Sequence, residues 1–440
     1  MRTNLFIPLF ILAALSFLSS CISPQDEASD CNDCNQQQII LQVQENSAAT
    51  TRAGRPLYSN EPNQLVDHVA LFICYYGNTD KPDNRIVAVQ HITDWEKEST
   101  EYDNGRSYHL NLMGSNRVPE GEANYKIYAI GYTDREKYKT EYTYDGKSLH
   151  EYLESLTADS DFPENLTLSL SSTPGEEIFA GINTETNGLI HSNEAGGFTT
   201  RVVLHRQVAG VYMYVKDIPQ RDQATELRLT AACDNDGLVL EEFDTEDYGQ
   251  NRGKGKYVVN GTTPQEEITA SNRAILCTID LNAWKEENGT WKNPYDATNQ
   301  NPAFQSGSYF AGSFVIPFAA PTETSATSLQ LELYGGESQK PLKTWNVKLP
   351  QDDAQVQTNF TRWTWQDNGF TSVQKPETQE AYSLLRNHLY CIGRKDKDGD
   401  TTDDQPISLG DSNEIILKVI AEWDIIYDMQ LEPKPTKQGQ

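Results

Sequence analysis

The chain is poor in positive charge. Its 440 residues hold 36 Lys and Arg against 64 Asp and Glu, a net charge of −28. Nucleic-acid binding needs a basic surface to neutralise phosphates, so this balance excludes that class of partner. The motifs of common enzymes are missing too. The seven histidines, His68, His91, His109, His150, His191, His205 and His388, form neither H-x-x-x-H nor H-E-x-x-H. There is no G-x-S-x-G and no G-x-G-x-x-G, and "NRGKGKY" lacks the first Gly and the Ser/Thr of a phosphate loop. Paired carboxylates abound, but in so acidic a chain they carry no information. The expectation is a protein that is not an enzyme and holds no cofactor. Cysteine is sparse. Cys31 and Cys34 make one C-x-x-C, with no second pair to complete a four-ligand zinc site. Cys74, Cys233, Cys277 and Cys391 mostly sit in strand-like runs such as "ALFICYY", where Cys acts as a small apolar residue.

What is abundant is alternation. "NLTLSLS" puts Leu166, Leu168 and Leu170 on one face, and "SLQLELYG" does the same for Leu329, Leu331 and Leu333. "VAGVYMYV" sets Val211, Met213 and Val215 opposite Tyr212 and Tyr214. "EIILKVIAEW" reads as one strand with Ile415, Leu417, Val419, Ala421 and Trp423 on one face. Between these runs lie Asn, Asp, Gly, Pro and Ser, which make turns. One good helix is expected, where Ser148 and Glu151 form a capping box ahead of Leu149, Tyr152, Leu153 and Leu156. "TQEAYSLLRNHLY" is ambiguous between helix and strand. Many half-buried strands imply an all-β protein built of sandwiches. The length suggests two domains, and the polar stretch 183–197 is the best boundary. The expectation is an N-terminal β-sandwich over 36–190, a C-terminal one over 199–428, and a flexible tail over 429–440.

The start of the chain sets the compartment. Arg2, the apolar run Leu5 to Leu18 and small residues before Cys21 read as a secretory signal over 1–20. The apolar run is too short to span a bilayer, which needs about 20 residues. Leu18-Ser19-Ser20-Cys21 resembles a bacterial lipobox, which implies acylation of Cys21 and a lipidated tether over 21–35. The acidic residues just after Cys21 resemble a surface-export signal of Bacteroidetes lipoproteins. Next comes "QQQIILQVQENSAATTRAGR", Gln36 to Arg55. Ile39, Leu41 and Val43 share one face of a first strand, and a polar loop with Arg52 and Arg55 follows.

Two further constellations stand out. "KDKDGDTTDDQP" gathers Asp396, Asp398, Asp400, Asp403 and Asp404, as calcium loops gather oxygen ligands. It departs from the EF-hand in its Gly position and lacks the closing Glu, so a solvated hairpin is the plainer reading. "RWTWQDNGF" places Trp363, Trp365 and Phe370 close together, either as a sugar-stacking platform or as cross-strand packing.

Several stretches, taken in order, carry a family resemblance. They are the lipobox with "DCNDC", then "HVALFICYY", "EIFAG", "LHRQVAGVYMYVKDIP", "SFVIPF" with "LQLELYG", and "RNHLYCIG" followed by "ISLGDSNEIILKVIAEWD". The order resembles the fimbrillin superfamily of Bacteroidales type V pili, and within it the FimB-type fimbrium-anchoring subunits. The resemblance implies two tandem transthyretin-like Greek-key sandwiches with few short helices. It implies a lipid-anchored, outer-membrane, cell-surface location within a fimbrium, and partners that are other fimbrial subunits joined by β-strand addition. It also implies a choice. An anchoring or accessory subunit keeps its first strand, whereas a shaft or tip subunit loses it by cleavage after an Arg. Arg55 precedes Pro56, so Arg52 is the better candidate. Ile426, Tyr427 and Met429 are then candidates for a C-terminal segment donated to a neighbour. A host protein or glycan remains open as a further partner. So does a reading of another class, a surface glycan-binding lipoprotein.

Overall fold

A computed structural model of the chain describes residues 36–44, 66–102, 105–133, 142–163, 166–170, 177–183, 190–192, 196–233, 235–240, 257–262, 273–295, 302–321, 327–336, 340–357, 360–366, 369–397, 399–410 and 414–420. The protein is all-β, with strands layered around apolar cores. Among the described residues the largest sheet has nine strands. In spatial order it runs through Ile86–Ile92, His68–Tyr75, Asn124–Tyr132, Phe179–Ile182, Phe198–Arg206, Gln37–Gln44, Gly105–Asn111 and Thr100–Tyr102, and Ile190–His191 joins it beside Asn124–Tyr132.

Around His68–Tyr75 both faces of this sheet are covered. Along His68–Tyr75, Val69, Leu71 and Ile73 point into one core, while Ala70, Phe72 and Cys74 point into another. Successive strand residues face opposite ways, so a strand buried on both sides reads as the unbroken apolar run "VALFIC". The first core also takes Ile39, Leu41, Val43, Leu110, Val202 and Leu204. The second continues into the rest of the chain. Two five-stranded sheets pack into that continuation. One orders Ser308–Val315, Ala209–Lys216, Leu389–Ile392 and Lys418–Ile420, with Ile407–Ser408 also on Ala209–Lys216. The other orders Ala274–Asp280, Glu226–Ala231, Leu329–Tyr334, Lys343–Lys348 and Glu414–Ile416. The helix Leu149–Ser155 has its capping box, and Leu149 and Leu153 are buried. The ambiguous stretch resolves into irregular backbone ending in the strand Leu389–Ile392.

Sheet pairing crosses the expected boundary in both directions. Phe198–Arg206, assigned by pattern to the second domain, is hydrogen bonded to Gln37–Gln44 and Phe179–Ile182 of the first. Conversely, Thr167–Leu170 pairs with Gly237–Val239, in a five-stranded sheet drawn from both halves. Alternation tells which way a residue faces but not which sheet its strand joins. The polar stretch 183–197 is also less of a linker than its composition suggests. Ile190–His191 within it is paired, and Gly196 packs against Pro119 and Glu120. A second correction concerns "EIILKVI". It is not one strand. Glu414–Ile416 runs parallel to Lys343–Lys348, then the chain shifts sheet at buried Leu417, and Lys418–Ile420 runs antiparallel to Leu389–Ile392.

Where Phe198–Arg206 hands over to Ala209–Lys216, a buried polar knot ties the halves together. Arg206 is fully buried. Its Nε donates to Glu177 Oε1 at 2.7 Å, its Nη1 to Asn387 Oδ1 at 3.3 Å, and its guanidinium lies over the Phe179 ring. Beside it, Arg386 donates to Gln207 Oε1 at 3.1 Å and Asn260 to the Gln207 carbonyl at 3.2 Å. Removing one partner of such a buried pair strands the other charge, at a cost of about 3–5 kcal/mol. Arg206→Leu is therefore expected to lower unfolding stability by that order in denaturant titration. Combining it with Glu177→Leu should cost less than the sum of the two single changes.

Candidate functional site: the seat of the first strand

Gln37–Gln44 is an interior strand. It runs parallel to Phe198–Arg206, with Ile39 opposite Thr200 and Leu41 opposite Val202. It runs antiparallel to Gly105–Asn111, with Leu41 opposite Tyr108 and Ile39 opposite Leu110. Further backbone bonds extend the pairing at its start, from Leu112 N to Gln37 O at 2.9 Å and from Phe198 N to Gln36 O at 2.8 Å. Ile39, Leu41 and Val43 are each 0% exposed. On the opposite face Gln38, Ile40 and Gln42 are half-buried. Gln36 and Gln38 both donate to Asn111 Oδ1 there. Burying three such side chains contributes roughly 1.5–3 kcal/mol each, before the ladder on two edges is counted. The sheet is tight beside this seat. A Cβ on Gly181 would meet the Val203 carbonyl oxygen at 2.0 Å, so only glycine lets Phe179–Ile182 approach Phe198–Arg206 so closely.

One residue of the seat was missed in the sequence. Gln37 lies on the same inward parity as Ile39, is 1% exposed, and makes three hydrogen bonds to backbone. The signal was present: a polar residue continuing an apolar face by two positions.

The acidic loop has its own cation. Lys395 and Asp404 side chains are both 0% exposed and pair at 3.1 Å. Lys395 Nζ also donates to the carbonyl oxygens of Lys397 and of Asp400, the latter at 2.7 Å. Tyr214 donates to Asp404 Oδ2 at 3.0 Å. Burial raises the Asp404 pKa, and the neighbouring ammonium opposes that rise. Asp396 is engaged by Arg394 at 2.7 Å, Asp400 accepts from Thr402 N and Oγ1, and Asp403 is exposed. Asp398 lies outside the described residues. An ammonium thus sits among the loop's carbonyl and carboxylate oxygens. Among the described residues no group of three or more His, Cys, Asp or Glu is placed to hold a metal.

The aromatic hairpin Thr361–Gln366 with Gly369–Gln374 is inverted in polarity. Arg362 and Thr364 face inward, where Arg362 meets Glu377 and Ser383. Trp363, Trp365 and Phe370 are half-buried on the other face, with Trp365 and Phe370 edge-to-face at 5.1 Å across the strands. Cys74 and Cys391 are buried thiols. Burial raises both, Cys391 to about 12, which leaves them inert. Cys21, Cys31, Cys34, Arg52, Arg55, Ile426, Tyr427 and Met429 lie outside the described residues.

No protein-family model matches the chain, and no curated protein does. Solved structures to which it is similar include the fimbrial anchor protein Mfa2 from Porphyromonas gingivalis, at 10% identity over 79% of this chain and 100% of that one, with a TM-score of 0.32. The tip fimbrial protein Mfa3 from the same organism is 10% identical over 88% of this chain and 99% of that one, with a TM-score of 0.39. A fimbrial assembly protein from Parabacteroides distasonis is 10% identical over 82% of this chain and 91% of that one, with a TM-score of 0.34.

The seat makes an asymmetric demand on its strand. Leu41→Ala is expected to destabilise the protein by about 2–5 kcal/mol. Ile40→Ala, on the half-buried face, should cost well under half of that in the same denaturant series.

Proposed function

We propose that the chain is a cell-surface fimbrial lipoprotein, an anchoring or accessory subunit that keeps its own first strand and tethers a strand-exchange pilus to the outer membrane through Cys21. The observation that carries this reading is the seat itself: an N-terminal strand paired on both edges, with Ile39, Leu41 and Val43 fully buried. A strand in that position is a plug. While it stays, the sheet is complete; if it is removed, two strand edges and an apolar slot are left open, which is the condition for strand addition by a neighbour. The lipobox-like Leu18 to Cys21 places this plug 16 residues after the lipid attachment point, between Cys21 and Gln37. The alternative within the same class is a shaft or tip subunit matured after Arg52, which discards the strand.

The mature N-terminus separates the two. Intact-mass and peptide mapping of protein purified from outer membranes is expected to find a chain starting at acylated Cys21. A start at Ala53 would overturn the anchoring role in favour of a polymerising subunit.

A second reading, surface glycan binding, is favoured by the outward set of Trp363, Trp365 and Phe370 on a hairpin whose Arg362 and Thr364 face inward. It expects binding on a glycan array that is lost in Trp363→Ala and Trp365→Ala. Absence of binding to any glycan would remove it.

A further inference from the structure

Gln37 does something the apolar triplet cannot do alone. Its Nε2 donates to the carbonyl oxygens of Val118, at 3.0 Å, and Gly196, at 2.7 Å, while its Oε1 accepts from Val118 N–H at 2.9 Å. These partners belong to two separate stretches, one after the Gly114–Asn116 turn and one just before Phe198–Arg206. All are backbone atoms, so the pocket is built from main chain. Gly196 holds its side of the pocket at φ +73°, where a Cβ would sit 3.1 Å from the Pro119 carbonyl oxygen and from Glu120 Cα. The pocket offers one donor and two acceptors, which is the complement of a primary carboxamide.

Alternation leaves a strand free to slip by two residues, because the same set still faces inward. In one direction such a slip would push Gln37 among the apolar residues that now surround Ile39. In the other it would put Ile39 into the pocket, leaving the Val118 N–H without its partner, and bring Glu45 to the place of Val43. A buried unpaired polar group is costly, so Gln37 forbids both slips. We propose that the pocket of Val118 and Gly196 is a carboxamide subsite that selects which strand occupies the seat, and in which register. Its ligand is a strand parallel to Phe198–Arg206 that carries Gln two residues ahead of an alternating apolar triplet. The chain's own first strand meets this rule, and a partner subunit's strand must meet it to take the same place. That last step rests on the alternative above, maturation after Arg52, which empties the seat. Asn falls one methylene short of spanning the pocket, Glu offers the two carbonyls no donor, and Leu fills it without bonding.

The test reads register in the full-length protein. The native register sets Gln42 opposite Ser107 and Ile40 opposite His109. A disulfide between cysteines at 42 and 107 therefore reports the native pairing, and one between 42 and 109 reports the slip that carries Ile39 into the pocket. Paired variants Gln42→Cys with Ser107→Cys, and Gln42→Cys with His109→Cys, are oxidised and mapped by mass spectrometry. With Gln37 in place the 42–107 link is expected to dominate. Gln37→Leu and Gln37→Asn should each raise the slipped link relative to the native one by at least tenfold. An unchanged ratio in both variants overturns the proposal. Hydrogen exchange in the unaltered protein adds an independent reading: Val118 N–H should be as protected as the amides of Gln37–Gln44, and exchange at the rate of an open loop overturns the subsite. Neither readout depends on a partner. If no fimbrial subunit cross-links to the chain in cells, the strand-addition reading falls while the register result stands.

Discussion

Hydrogen bonding on both edges of Gln37–Gln44 is the constraint from which the first half of the structure follows. Without that strand, Phe198–Arg206 and Gly105–Asn111 would each present an unpaired edge, and Val202, Leu204 and Leu110 would lose their cover. The nine-stranded sheet is continuous only because a segment from the far N-terminal side of the described chain lies in its interior. The apolar face of the strand supplies most of the binding energy, and its amide supplies the alignment. Those are different jobs, and different residue types perform them.

Much of the β architecture was legible in the residues. Leu329, Leu331 and Leu333 alternate and are buried, and the Ser148–Glu151 capping box starts a helix where it was expected. These are local signals, set by neighbours two to four positions away. What failed to show was partnership. Phe198–Arg206 has the same pattern whether it begins a second domain or completes a first sheet. "EIILKVI" alternates without a break, yet the chain leaves one sheet for another at Leu417. Pairing depends on residues from tens to more than a hundred positions away, and period-2 alternation carries no address. In the seat itself, Ile39, Leu41 and Val43 stood out as an apolar face, while Gln37 was passed over because an inward polar residue looks like the end of a pattern. It is instead the part of the pattern that contacts main chain.

The same economy recurs in the second half. The acidic loop has the composition of a cation site, and a cation does sit among its oxygens, but it is the ammonium of Lys395. The Arg206 knot likewise places a buried charge where two sheets meet and satisfies it from three directions. Such charges bring little net stability compared with apolar packing. They hold particular backbones at particular distances, which packing alone does less sharply.

The direction of the first strand has a mechanical consequence. A force applied at Gln36 along the strand axis would load every rung on both edges together, in shear, and would drag Ile39, Leu41 and Val43 lengthwise through their slot. No rung could fail first and pass the load along, as happens when a hairpin is peeled. The Gln37 amide, bonded across to Val118 and Gly196, sits at the loaded end and would take up tension before the rest of the strand moved. A strand seated this way resists a steady axial pull far better than a sideways one. Its release would then depend on how the load is aimed as well as on how tightly it is bound.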